Sequence, residues 1–126
     1  MKSYKFTVSS AMRPVIIYSD HEQIYVKGSR SSVGGQLDED RMEKDFIDQE
    51  FQLKKGDIIY MFSDGYPDQF GGPLGRKFKM VRLKNLLRDI HDKPMEEQYN
   101  YIKSNFFLWK EDLEQVDDVL FMGVKL

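Results

Sequence analysis

The 126-residue sequence contains no cysteine. That excludes disulfides, thiolate zinc sites and cysteine nucleophiles, and it fits a reducing compartment. No apolar run approaches the ~20 residues a helix needs to cross a bilayer. Met1-Lys2-Ser3 opens nothing that reads as a secretory signal, so a cytoplasmic location is the expectation. Positive charge is not in surplus: 19 Lys and Arg stand against 21 Asp and Glu, for a formal net charge of −2. This argues against a nucleic-acid binder that relies on bulk charge. Histidine is scarce, and His21 and His91 are isolated, each reading as a surface residue rather than a ligand or base. There is no internal repeat and no low-complexity segment. What is present, 40% hydrophobic and 32% charged residues, is the composition of a folded chain, long enough for one domain with a core.

The most informative pattern is acidic residues beside apolar runs. Asp57 leads into Ile58-Ile59-Tyr60-Met61-Phe62, which runs straight into Ser63-Asp64-Gly65-Tyr66. Downstream, Asp117-Asp118 precedes Val119-Leu120-Phe121-Met122-Gly123-Val124. A strand ending in Asp-Gly aims a carboxylate out of a sheet with a sharp turn behind it. An Asp-Asp pair at the start of another strand can do the same. Two carboxylates converging at a sheet edge are suited to a hard cation such as Mg²⁺ or Mn²⁺, and so to metal-assisted hydrolysis. The same Asp-Gly is also a common turn signal, and an aspartate before a strand is an ordinary loop residue.

Along the chain, alternation predicts a strand over Tyr4–Val8 and a hairpin of Val15–Tyr18 with Gln23–Lys27, turning at Ser19–Glu22. Gly28–Gly35 reads as a flexible loop and Asp38–Asp45 as a solvated charged stretch. Strand character resumes over Phe46–Leu53, and a tight turn at Lys54–Asp57 leads into Ile58–Phe62. A long structureless loop is expected from Tyr66 to Lys77, of the kind that carries function. Two helices follow. The first, Met80–Ile90, sets Val81, Leu83, Leu86, Leu87 and Ile90 on one face. The second has Pro94 in its first turn and runs to Trp109, with Met95, Tyr99, Ile102, Phe106 and Trp109 at helical spacing, a core stripe against a sheet. The last strand, Val119–Val124, is apolar at nearly every position and is expected to be central. About six strands and two adjacent helices give helical cover for one layer only.

Gly56–Gly65, Asp68-Gln69-Phe70-Gly71-Gly72 and Gln115-Val116-Asp117-Asp118-Val119-Leu120, in this order and with helices between, resemble bacterial SpoIIE-type phosphatases. These belong to the metal-dependent (type 2C, PPM) serine/threonine phosphatases. Ala11-Met12-Arg13-Pro14 is similar to the family's Ala-x-x-Pro lead-in to a hairpin, so the resemblance spans nearly the whole chain.

The resemblance implies an α+β fold, part of an α/β/β/α sandwich of mainly antiparallel sheets with one helix pair. It implies a binuclear Mn²⁺ or Mg²⁺ centre in the complete family domain, with a metal-activated water and no protein nucleophile. By position, Asp64 and Asp117 resemble metal ligands, Asp118 is a further candidate, and Gly65 supplies the turn. Asp68 stands where a second acidic residue is frequent. Ser63 has no His or Lys placed to activate it. The basic set Arg76, Lys77, Lys79, Arg82 and Lys84 lies just after the metal-site loop. Read from the residues, it is either the polar face of the loop and first helix or a surface that steers an acidic partner, with Arg76 and Lys77 as the substrate-binding candidates.

The implied partners are a phosphoserine or phosphothreonine protein, typically an anti-sigma-factor antagonist in related systems, upstream sensor or regulatory domains, and a second copy in a homodimer. The family also uses an upstream aspartate and an Asp-Gly pair, and nothing between Met1 and Lys55 looks like them. Residues 1–126 are therefore expected to be the C-terminal portion of a phosphatase domain, weak or inactive alone. The rival reading is a non-catalytic pseudophosphatase module that binds a partner. A calcium site on Asp38-Glu39-Asp40 lacks the ligand spacing and glycine of an EF-hand.

Overall fold

The computed structural model describes residues 3–8, 14–26, 49–115 and 117–126. The sequence expectations for Gly28–Gly35, Asp38–Asp45, Phe46–Asp48 and Ala11–Arg13 lie outside the described residues. The fold is α+β. The described strands are β1 (Ser3–Val8), β2 (Val15–Ser19), β3 (Glu22–Val26), β4 (Gln49–Lys54), β5 (Ile58–Phe62), β6 (Phe70–Gly71), β7 (Arg76–Lys77) and β8 (Phe121–Lys125). The helices are α1 (Lys79–Ile90) and α2 (Met95–Lys110). Strand order is β1-β4 in one sheet, β3-β2-β5-β8 in a second and β6-β7 in a third. Pairings β1–β4, β2–β3 and β6–β7 are antiparallel, as expected of part of an α/β/β/α sandwich with one helix pair.

Two compact units divide the chain: Met1–Ile59 with Val124–Leu126, and Tyr60–Gly123. In the first, the β2–β3 hairpin closes on Asp20 and His21, both at positive φ. That two-residue geometry matches strand twist, and Asp tolerates it better than most side chains. Lys54 donates to Asp20 across an exposed ion pair, and this hydrogen bond, followed by the charge itself, raises the lysine's pKa. Val15, Ile16, Ile17, Tyr18, Val26, Leu53, Ile58 and Ile59 are buried. Buried Asp57 closes the β4–β5 turn: its Oδ2 accepts from the Lys54 amide at 2.8 Å and from Ser19 Oγ at 2.8 Å.

In the second unit, Leu83, Leu87 and Ile90 of α1 and Ile102 and Phe106 of α2 are buried with Tyr60, Phe62, Tyr66 and Phe78. Pro94 precedes α2 as its N-cap, at φ −55° and ψ 147°, rather than sitting in its first turn. An extended backbone there delivers the chain into the helix without needing the amide proline lacks. Gln98 is buried and holds the α1–α2 connection: its Nε2 donates to the carbonyls of His91 and Lys93, and its Oε1 accepts from Tyr60.

Four expectations are corrected. There are eight strands among the described residues, not six. The segment Tyr66–Lys77 is not structureless, because Phe70-Gly71 and Arg76-Lys77 pair as a short hairpin. Val81 is 68% exposed and leaves the apolar face of α1, since that face needs only the 83, 87, 90 row. Among the described residues the last strand is not central. It begins at Phe121, stands last in its sheet's order, and leaves Met122 and Val124 exposed.

Candidate functional site

The acidic corner is built within the unit Tyr60–Gly123, and backbone builds it. Ser63 follows β5 and ties it to the chain leading into β8. Its amide donates to the Leu120 carbonyl at 2.9 Å. Its Oγ donates to the Asp118 carbonyl at 3.0 Å and accepts from the Leu120 amide at 2.9 Å. A hydroxyl that both donates and accepts clasps two backbone groups at once. Gly65 then lies flat against Asp118: a Cβ at Gly65 would overlap the Asp118 carbonyl. Only glycine permits this approach. The Asp64-Gly65 and Asp117-Asp118 motifs, more than 50 positions apart in sequence, therefore meet.

Asp64, Asp117 and Asp118 are all exposed. Asp117 Oδ1 accepts from the Asp118 amide at 2.8 Å, and the Asp117 carbonyl accepts from Gln115 Nε2. These bonds shape the turn that presents the pair. Among the described residues, no group of three or more His, Asp or Glu gathers in a way that could hold a metal ion. Octahedral cations need several oxygen ligands each. The corner alone does not fit a complete metal centre.

Beside it stands a basic hairpin. The Asp68 amide donates to the Asp64 carbonyl at 2.9 Å, so the chain turns once after the acidic corner and enters β6. Asp68 and Lys77 form an ion pair at 3.8 Å, half exposed. Arg76 and Lys77 are exposed on β7. The hairpin is fastened to the end of α2 by Trp109. The Trp109 carbonyl accepts from the Gly72 amide at 3.0 Å, and its indole Nε1 donates to the Gln69 carbonyl at 2.8 Å. A Cβ at Gly71 would overlap that same Trp109 carbonyl.

Beneath both lies an aromatic cluster. The Tyr66 ring packs against Phe78, Phe106 and Phe121 with centroids 5.2 to 5.7 Å apart. Its hydroxyl donates to the Ile102 carbonyl at 2.6 Å. Burial pushes its phenol well above its ordinary value. An apolar cavity of about 480 Å³, lined by Tyr60, Tyr66, Ile102, Phe106, Val119 and Phe121 among others, opens beside this cluster.

The family model described as stage II sporulation protein E (SpoIIE) matches residues 1–126. The chain belongs to the SpoIIE family. Solved structures agree on the SpoIIE-type fold. The SiaA-PP2C domain of Pseudomonas aeruginosa superposes with a TM-score of 0.82 at 24% identity, over 97% of this chain and 46% of that one. The phosphatase domain of the cell fate determinant SpoIIE from Bacillus subtilis superposes with a TM-score of 0.62 at 19% identity, over 98% of this chain and 50% of that one. A Mn-presoaked form of the same domain gives 0.60 at 20% identity, over 98% and 50%. The chain thus spans about half the length of these structures. No curated protein matches it.

The sequence of this SpoIIE chain marks the two acidic motifs but not what joins them. Ser63 stands out only as a serine with no base beside it, and its clasp on Asp118 and Leu120 is visible only in the fold. Trp109 falls on the core stripe of α2, and its hold on the β6–β7 hairpin likewise appears only in the fold. The signal available was Gly71-Gly72 beside Gln69, since paired glycines in a turn mark close backbone approach.

Proposed function

We propose that residues 1–126 are the C-terminal portion of a PPM-type protein serine/threonine phosphatase domain. In this reading Asp64 and Asp117, with Asp118 beside them and Gly65 as the turn, are the chain's share of a Mn²⁺ or Mg²⁺ site. The observation that carries it is the Ser63–Gly65 clasp on Asp118, which brings two distant acidic motifs to one exposed corner. The SpoIIE match over the whole chain supports the reaction class, hydrolysis of a phosphoserine or phosphothreonine ester in a signalling protein. The Mn-presoaked relative supports the choice of metal. The half-length overlap supports the partition: further ligands, and regulatory domains, would come from other residues of a longer protein.

Because the described residues do not complete a metal centre, turnover by this chain alone is expected to be negligible even with millimolar Mn²⁺. The test compares hydrolysis of p-nitrophenyl phosphate by the purified 126-residue chain and by the complete gene product, with and without Mn²⁺. Mn²⁺-dependent turnover confined to the complete protein is the expected result. Robust turnover by the short chain would show that the ligand set lies within it. The rival reading is a pseudophosphatase module that binds a partner on the same scaffold. An inactive complete protein with an intact fold would select that reading.

A further inference from the structure

We infer that the β6–β7 hairpin and the start of α1 form a docking surface for an acidic polypeptide, and that this surface selects the flanks of the phosphorylated residue. The inference rests on the phosphatase reading for the phosphate itself, but its surface stands on separate observations.

Charge is the first. From Gln69 to Arg88 the chain carries Arg76, Lys77, Lys79, Arg82, Lys84 and Arg88 and not one acidic residue, in a molecule of net charge −2. A local excess of one sign against the overall balance focuses potential where it lies. Within this run Arg76 and Lys79 are exposed, and no ion pair holds either among the described residues. Among the described residues, Lys77 pairs with Asp68 at 3.8 Å and lies 5.9 Å from the Phe70 ring. An exposed pair of that length contributes little, so an incoming carboxylate can replace Asp68 at small cost.

Rigidity is the second. A mobile loop would lose entropy on docking, and this one has already lost it. The base of the hairpin is fastened to Trp109 by the Gly72 amide and the indole Nε1. Gly72 and Gly75, both at positive φ, close its four-residue turn. Arg82 lies 4.7 Å over the Trp109 ring and donates to the Phe78 carbonyl. Fixed at both ends, the hairpin holds the backbone of Arg76 and Lys77 in place, and both side chains reach solvent. Leu74 at the tip is 73% exposed and offers an apolar contact within the basic surface.

Position is the third. One turn of backbone, closed by the Asp68 amide on the Asp64 carbonyl, separates the acidic corner from the hairpin. A chain whose phosphorylated residue reached that corner would pass its neighbouring residues over Arg76 and Lys77. The exposed carboxylates of Asp64, Asp117 and Asp118 repel acidic flanks at the corner itself, so attraction and repulsion together set the direction in which such a chain lies.

The test is equilibrium binding by the 126-residue chain, read by fluorescence anisotropy, of two labelled phosphoserine peptides. One has glutamate and aspartate on both flanks and the other has neutral flanks. The acidic peptide should bind about tenfold tighter, lose that margin as salt rises past the screening range, and lose it in an Arg76→Glu/Lys77→Glu variant but not in Lys103→Glu, an exposed position on α2 outside this surface. The salt titration on the unmodified chain keeps the test decisive if the double variant misfolds. Equal affinity for the two peptides, or tighter binding of a DNA duplex than of the acidic peptide, would overturn the inference. Absence of Mn²⁺-dependent p-nitrophenyl phosphate turnover by the unmodified complete protein would count against the phosphatase reading, whereas the peptide comparison judges this surface alone.

Discussion

Asp57 precedes β5 and Asp64 follows it, and the same residue type serves two purposes. Asp57 is 5% exposed, and its carboxylate accepts from the Lys54 amide and the Ser19 hydroxyl. Asp64 is exposed, in a turn that Ser63 and Gly65 press against Asp118. In sequence both are aspartates beside an apolar strand with a glycine next to them. The flanking glycines differ in what they do. Gly56 supplies a positive φ in open space, whereas Gly65 removes a side chain where another backbone passes. A carboxylate next to a turn glycine closes the turn. A carboxylate next to a close-approach glycine is presented outward by it.

The sharpest way to break this contrast is at the glycines. Gly65→Ala should destabilise the 126-residue chain by about 3 kcal/mol in urea unfolding, because the new Cβ meets backbone that cannot turn aside. Gly56→Ala meets no atom and should cost only the strain of its positive φ, about 1 kcal/mol. Similar losses at the two sites would mean that the Gly65 approach is not a constraint.

The aspartates come next. Asp57→Ala leaves the Lys54 amide and Ser19 hydroxyl without their acceptor, and about 2 kcal/mol of stability should be lost. Asp64→Ala should stay within about 0.5 kcal/mol of the parent, as an exposed surface change. Chemical denaturation of both variants checks the pair, and a large loss from Asp64→Ala would move it into the structural class.

The smallest effect sharpens the account of the cluster under the corner. Tyr66→Phe removes one hydrogen bond to the Ile102 carbonyl and should cost about 1 kcal/mol. Burial raises the folded-state pKa of Tyr66 above its ordinary 10.0. Above that pH the unfolded chain gives up this proton more readily than the folded one. The contribution is therefore fully present below pH 10.0 and is lost as pH rises towards the folded value. Stability measured between pH 9 and 11.5 should fall, and Tyr66→Phe should remove part of that fall. An unchanged alkaline limb in the variant would place the phenol in contact with solvent.

The elements were legible where local pattern sufficed. Alternation in Val15–Tyr18, the apolar run Ile58–Phe62 and the spacing of Leu83, Leu87 and Ile90 each mark their element within a residue or two. The acidic motifs were legible because Asp-Gly and Asp-Asp flank such runs. What failed depended on residues far apart. The β6–β7 hairpin is only two residues on each strand and exists because Trp109, some 40 positions on, receives it. The edge position of β8 was hidden because an apolar run marks burial potential, whereas strand order decides what is covered. Val81 misled because helical spacing admits a wide face while packing used a narrow one.

The central claim is that Asp64 and Asp117 act as parts of one site. Its most direct test is Mn²⁺-dependent turnover of p-nitrophenyl phosphate by the complete protein carrying Asp64→Asn, Asp117→Asn, or both. Each single variant should lower turnover by about a hundredfold or more, and the double variant should be no worse than the weaker single, since groups that act as a unit are not additive. Either single variant retaining activity within about twofold of the parent, or losses that multiply in the double variant, would contradict the account.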